Sequence, residues 1–318
     1  MPEILHRRGI ICFMRIRRKT KSPATAIVNR TAGGMVAGES RRELARLIEG
    51  AFAGAAVIFA GSGGDAVQAA KKALGQGSTL VIAGGGDGTI SAIASVVAGT
   101  PAVLGVLPMG TLNHFAKDLG IPTDLPSAVG ALAAGREVRV DIGEVNGRVF
   151  INNSGLGLYP VIVRLREKKQ EQGASKRRAA LAAAARALAR YRLLTVHVIA
   201  NGQEIIRKTP IVFVGNNEYT REGLSMGTRP RLDAGKLSLV IPHAAGRLRL
   251  LWFSLRALLG RDRPGQDLDI ISAEEFVIGA GHRFVQVTLD GEVATMDAPL
   301  RYRIRPGALK VMAPTPGS

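Results

Sequence analysis

Thr79-Leu80-Val81-Ile82-Ala83-Gly84-Gly85-Gly86-Asp87-Gly88-Thr89 is a short apolar run ending in a glycine-rich loop, and a helix-like run, Ile90 to Ala98, follows it. The order is strand, tight turn, helix. Glycines let a backbone approach an anion, and a helix start offers free N–H groups and a positive dipole end. The loop is therefore suited to phosphate. Asp87 is the odd member. A carboxylate beside phosphates repels them unless a metal ion or a proton transfer is involved. The stretch points to phosphate chemistry with a metal rather than to passive phosphate binding. It matches neither common nucleotide signature: Gly88-Thr89 lacks the lysine of a Walker loop, and Thr89 stands where a dinucleotide fingerprint needs its third glycine. In isolation, a βα turn with no ligand would read the same way.

Working outward, Pro101 to Leu107 reads as a buried strand, and Pro108-Met109-Gly110-Thr111-Leu112-Asn113-His114-Phe115-Ala116-Lys117-Asp118 follows it. Upstream, the apolar run Ala24 to Val28 ends in Asn29-Arg30-Thr31-Ala32-Gly33-Gly34. In a parallel sheet the carboxyl ends of the strands share one crevice, where ligands bind. Asn29, Thr111 and Asn113 are placed there to hydrogen-bond a phosphate or a base.

This ordered set resembles the catalytic domain of the diacylglycerol kinase and sphingosine kinase superfamily. That family carries an Asn-Pro-x-x-Gly turn, a Gly-Gly-Asp-Gly-Thr loop and a Pro-x-Gly-Thr-x-Asn-Asp-Phe-Ala-Arg segment. Further matches are Val140-Asp141-Ile142-Gly143, Phe150-Ile151-Asn152, Val214-Gly215-Asn216-Asn217, Leu232-Asp233-Ala234-Gly235-Lys236-Leu237 and Asp290-Gly291-Glu292. Gly-Asp-Gly-Thr alone would also fit NAD kinases and phosphofructokinases. The ordered set, from about residue 24 to 313, is much more selective.

The resemblance implies an ATP-dependent kinase that uses Mg²⁺ and phosphorylates a lipid hydroxyl. A kinase of a soluble acceptor such as NAD and a non-catalytic lipid or nucleotide binder are the alternatives. Phosphoryl transfer needs a phosphate cradle, a metal and a carboxylate to accept the hydroxyl proton. By resemblance Gly84, Gly85, Gly86, Asp87, Gly88 and Thr89 form the cradle, and Asn29, Gly33, Gly110, Thr111 and Asn113 complete the nucleotide crevice. Glu292 is assigned as proton acceptor, Asp290 to metal or positioning, and Asp87 to Mg²⁺; Asp87 and Glu292 remain exchangeable in role. The chain departs from the family in places. It has Asn113-His114-Phe115 for Asn-Asp-Phe, Asn29-Arg30 for Asn-Pro, and Gly157-Leu158-Tyr159-Pro160 for Gly-Phe-Asp-Ala. The Asp-Gly of a structural magnesium site appears as Ala234-Gly235, with Asp233 one place early as the expected ligand. These departures imply altered acceptor recognition, with His114 and Tyr159 as the substrate-side residues.

The fold expected is an α/β N-terminal domain with a parallel sheet, followed by a mostly antiparallel β domain. Apolar strands alternate with helical runs from 24 to 141 (Arg41 to Gly50, Asp65 to Leu74, Pro126 to Ala134). From 142 to 318 the Asn146-Gly147 and Asn201-Gly202 pairs signal hairpins, and the last strand, Ala308 to Met312, is expected to return to the first domain. Residues 1–23 form a basic extension in which Met14 is a second candidate start. Segment 161–192 reads as a packing helix. In the run Gly246 to Arg263, Leu248, Leu251, Trp252 and Leu255 share one face edged by Arg249 and Arg256. That pattern suits a helix in a bilayer interface and equally one packed on its own sheet.

At 318 residues, 46% hydrophobic, the chain can bury one large or two medium cores. Its single cysteine, Cys12, excludes an internal disulfide and a cysteine zinc site, and fits a reduced, cytoplasmic protein. No stretch reaches the ~18 apolar residues of a membrane span. The formal charge of +18 comes with only 4% aromatics and no nucleic-acid motif, which favours an anionic membrane surface over nucleic acid as partner. Peripheral membrane association is expected, and a homodimer is left open.

Overall fold

A computed structural model describes residues 23–32, 38–158, 193–222, 225–226, 228–242 and 268–315. Residues 1–22 of the basic extension, Cys12 among them, and Gly33, Tyr159, the 161–192 segment and the Arg-edged run of 246–263 lie outside the described residues.

The first half alternates as its pattern predicts: β1 (Ala24–Asn29), α1 (Gly38–Ala51), β2 (Ala56–Ala60), α2 (Gly63–Gly75), β3 (Leu80–Gly85), α3 (Asp87–Val97), β4 (Val103–Pro108), α4 (His114–Asp118) and α5 (Leu125–Ala134). Strands β2-β1-β3-β4 lie side by side and parallel. β1, β3 and β4 are buried along nearly their whole length. That is why they read as unbroken apolar runs rather than alternating ones. Helix α3 begins three residues earlier than the sequence pattern suggests, so Asp87, Gly88 and Thr89 form its first turn.

The second half is β5 (Arg136–Val145), β6 (Arg148–Phe150), β7 (Asn153–Gly157), β8 (Leu194–Ala200), β9 (Gln203–Thr209), β10 (Ile211–Asn216), β11 (Arg221–Glu222), β12 (Ser225–Met226), β13 (Leu237–Pro242), β14 (Leu268–Ala273), β15 (Glu275–Ala280), β16 (Phe284–Leu289), β17 (Glu292–Asp297) and β18 (Leu300–Ala313). Strands β14-β13-β10-β7-β16-β17 make a wholly antiparallel sheet. Three hairpins turn on Asn146-Gly147, Asn201-Gly202 and Asp290-Gly291, each with both residues at positive φ. That is the geometry two-residue hairpins select.

β18 joins the halves. Its first residues pair antiparallel with β15, and Lys310 and Val311 pair parallel with Val103 and Leu104 of β4. The ten-stranded sheet is thereby continuous from β2 to β9. One apolar core packs around Ile27, Ile82, Leu104 and Phe115, and a second around Phe150, Phe276 and Tyr302. Full burial of each such apolar side chain contributes about 1.5–3 kcal/mol. Tyr302 meets its polar need through Ser154 Oγ at 3.0 Å. Among the described residues no helix is long and apolar enough to cross a membrane.

Candidate active site

The carboxyl ends of β1, β3 and β4 converge as the sequence implies. Gly86 caps α3 in extended backbone (φ −82°, ψ 177°) and has no side chain to satisfy the first-turn amides. Those N–H groups have no partner within the helix and face the loop with the positive end of the dipole. Met109 N–H donates to the Gly85 carbonyl at 2.9 Å, which locks the β3 and β4 loops together. The contact is too close for side chains: a Cβ on Gly110 would stand 2.6 Å from Gly86 Cα, and one on Gly85 would stand 2.7 Å from Thr89 Cβ.

Two of the expected nucleotide contacts are spent on building this loop. Asn113 adopts left-handed backbone (φ 50°), accepts from Gly110 N–H at 2.8 Å and donates to the Gly110 carbonyl at 2.8 Å. Asn29 donates to Thr89 Oγ1 at 3.1 Å and accepts from the Thr31 N–H and hydroxyl at 3.0 and 2.8 Å. Their side chains therefore shape the crevice; short amides beside their own backbone bond locally. Thr111 and His114 are exposed at its rim.

The late acidic motif reaches the same place. Asp290 and Gly291 form the β16–β17 turn at φ 49° and 95°. One Asp290 oxygen accepts from the N–H groups of Asn152 and Asn153 at 2.7 and 2.9 Å; the other accepts from Ile151 N–H at 2.8 Å and Ser91 Oγ at 2.5 Å. Burial pushes this carboxyl above the usual carboxylate range, and the Ser91 hydroxyl and the three amides pull it back. Ser91 lies one turn beyond Asp87 on α3, so the hairpin is pinned to the helix that begins in the glycine loop. Glu292 opens β17 on the exposed side, and a Cβ built on Gly88 would stand 3.9 Å from its Oε1.

Of the acids expected at metals, Asp233, assigned to a separate structural site, pairs with Arg231 at 3.0 Å on the exposed surface, and Asp290, assigned to metal or to positioning, has its oxygens on backbone N–H groups and Ser91. Among the described residues no group of three or more His, Cys, Asp or Glu is arranged to hold a metal. Asp87 still fits a cation. Its Oδ1 is buried and has no hydrogen-bond partner, and an orphaned carboxylate oxygen is costly unless something cationic satisfies it.

Several structural residues of the site carried no role in the sequence reading. Asp141, quoted only as part of a motif, is buried and accepts from the N–H groups of Gly235 and Gly307 at 2.7 and 2.8 Å. It holds the turn where a magnesium was expected against β18. An acid inside an apolar run was the available signal. Asn216 donates to the carbonyls of Asp141 and Ile151, both at 2.8 Å. Arg229 and Asp118 form a buried ion pair at 2.8 Å; nothing local set Arg229 apart from the other basic residues.

Residues 23–145 match the diacylglycerol kinase catalytic domain, and residues 165–313 match the YegS C-terminal NAD kinase beta sandwich-like domain. Together these matches cover most of the chain, which belongs to the diacylglycerol kinase family. The chain is 44% identical to a diacylglycerol kinase of Staphylococcus saprophyticus over 91 residues (28% of this chain, 30% of that protein). It is 48% identical to a probable lipid kinase, YegS-like, of Klebsiella pneumoniae over 92 residues (28% and 31%). The alignments thus span only about 30% of the length of these curated relatives. A putative diacylglycerol kinase from Bacillus anthracis has the same fold, with a TM-score of 0.71 over 93% of this chain and 98% of that one at 21% identity.

Proposed function

We propose that the protein is an ATP-dependent lipid kinase that transfers the terminal phosphoryl group of ATP to a lipid hydroxyl, diacylglycerol or a related lipid. The observation that carries this reading is the approach of Glu292 to Gly88, a carboxylate beside the first turn of the phosphate-facing helix. A glycine loop alone binds phosphate; a glycine loop with a free carboxylate has the parts for transfer.

In this reading the amides at Gly86, Asp87 and Gly88 receive the triphosphate. Glu292 takes the proton of the acceptor hydroxyl as that oxygen bonds to the terminal phosphorus and the bond to ADP breaks. Asp87 would hold Mg²⁺, which supplies charge neutralisation at the phosphates when bound. Asp290 acts by holding the turn that carries Glu292. His114, at the exposed rim, is assigned to the acceptor, the role the sequence gives to Tyr159 as well.

The net charge of +18 supports work at an anionic membrane surface on the cytoplasmic side, since each basic residue near such a surface contributes about 1 kcal/mol. A homodimer is compatible with this reading, and gel filtration decides it. The activity test is incubation with labelled ATP, Mg²⁺ and anionic vesicles containing diacylglycerol, with NAD as a soluble control. Label in the lipid fraction that disappears in Glu292→Gln is the expected result. Label on NAD alone, or none on any acceptor, rejects the reading.

A further inference from the structure

Behind the hairpin that carries Glu292 lies a buried cation. The Arg229 side chain has 0% exposure and its partner Asp118 has 5%, with 2.8 Å between Nη2 and Oδ2. Arg229 Nε donates to the same oxygen at 2.8 Å, and its backbone N–H donates to the other at 3.0 Å. A desolvated guanidinium is tolerated only where its donors are met. The remaining donors go to the turn that follows β6 and to the end of β10: Nη1 to the Ile151 carbonyl at 2.6 Å and to the Asn216 carbonyl of β10 at 3.2 Å, and Nη2 to Asn152 Oδ1 at 2.9 Å. The rings of Phe115 and Tyr219 flank the guanidinium at 5.8 and 5.5 Å, and the Tyr219 hydroxyl donates to the Asn152 carbonyl at 2.9 Å.

The same turn holds Asp290, and one peptide group carries both contacts. The carbonyl between Ile151 and Asn152 accepts from Arg229 Nη1 and Asn216 Nδ2, while the N–H of that peptide donates to Asp290 Oδ1 at 2.7 Å. A peptide polarised at its oxygen by a cation donates more strongly at its nitrogen. An unbroken series of contacts therefore runs from Asp118 on α4 through Arg229 and this peptide to Asp290, two residues before Glu292.

The geometry points to Arg229 as a positioning residue for Glu292, fixing the peptide on which the Asp290–Gly291–Glu292 turn is hung. The inference rests on the assignment of Glu292 as proton acceptor. An Arg229 that served folding alone would leave Glu292 indifferent to it, and that difference is measurable.

A double-mutant cycle makes the test. Arg229→Lys keeps the charge but loses the planar fork that spans Asp118, Ile151 and Asn152. In the otherwise native protein, kcat for lipid phosphorylation is expected to fall about 10- to 100-fold, with KM for ATP changed less than about twofold. In a Glu292→Gln background the same substitution is expected to change the residual rate less than about twofold, because no acceptor is left to misplace. Equal losses in both backgrounds overturn the proposal. Thermal unfolding checks that Arg229→Lys folds; if it does not, Asn152→Ala removes one guanidinium acceptor, leaves the Asp118 pair in place and runs the same cycle. Undiminished turnover by Glu292→Gln alone refutes the proton-acceptor assignment, and the proposal falls with its premise. That outcome is distinct from equal losses in the two backgrounds, which leave the kinase reading standing.

Discussion

The hydroxyl of Ser91 donates to the carboxylate of Asp290 at 2.5 Å across 199 positions of sequence. Ser91 belongs to the helix that starts in the glycine loop, and Asp290 to the turn that leads into Glu292. One bond thus ties the phosphate-facing half of the proposed site to the half that carries its proton acceptor. Ser91→Ala is expected to lower stability by about 1.5–3 kcal/mol, the usual worth of a hydrogen bond to a charged group. It should lower kcat while ATP affinity is retained. Urea denaturation and turnover, measured on the same preparation, check both.

Glu292→Gln and Asp87→Asn separate the two carboxylates facing the crevice. Loss of a positioned general base costs about 10²–10⁴-fold in rate, so Glu292→Gln should bind ATP normally and transfer almost nothing. Asp87→Asn should instead move the Mg²⁺ dependence of ATP binding to higher concentration. Because Asp87 Oδ1 is buried without a partner, the same change should leave the thermal midpoint without metal unchanged or raised. Calorimetric ATP titrations at several Mg²⁺ concentrations distinguish the two behaviours; an Asp87→Asn variant with unaltered Mg²⁺ response sinks the metal assignment.

Gly110→Ala places a Cβ 2.6 Å from Gly86 Cα and 2.9 Å from Asn113 Oδ1. The backbone of the opposing loop must move, and overpacking of this kind costs about 1–3 kcal/mol. KM for ATP should rise as the loops part. Gly130 in α5 is the control: an added Cβ there meets nothing within 4 Å, and the change should stabilise by about 0.5–1 kcal/mol through helix propensity alone.

Asp290 sets a pH dependence whose sign follows from its burial. Burial raises its folded carboxyl above the ordinary aspartate value of 3.8. The folded state therefore holds the proton more tightly than the unfolded state does. Its contribution to stability is fully present below 3.8 and is lost as pH rises through the folded value. Denaturant midpoints of the wild type and of Asp290→Asn, compared from acid to neutral pH, should show the wild type losing ground as pH rises; an opposite slope contradicts the assignment.

Much of this arrangement was legible in the sequence, for identifiable reasons. Continuous apolar runs marked β1, β3 and β4 because both faces of the sheet are covered. Asn146-Gly147 and Asn201-Gly202 marked hairpins because only such pairs take two positive φ values easily. The short strands β2, β7 and β14 escaped, being alanine-rich, glycine-containing or interrupted by an acid. At the site, residue types were legible and roles were not. Asn29 and Asn113 stand at the crevice, yet their amides close loops. For Asp290 the sequence left metal and positioning both open, and its oxygens meet backbone N–H groups and the Ser91 hydroxyl. Arg229 was invisible because its partners lie up to 111 positions away and it is one of 43 basic residues.

The pairing of Lys310 and Val311 with β4 bears on how the molecule comes into being. A ribosome releases the glycine loop early, but the sheet that supports it gains its neighbour beyond β4 only when the closing segment has been translated. Until then the flank of β4 is an open edge, able to recruit a stranger's strand. A nascent chain halted just past β17 would hold every residue proposed for transfer and still lack the neighbour that β4 is built to receive.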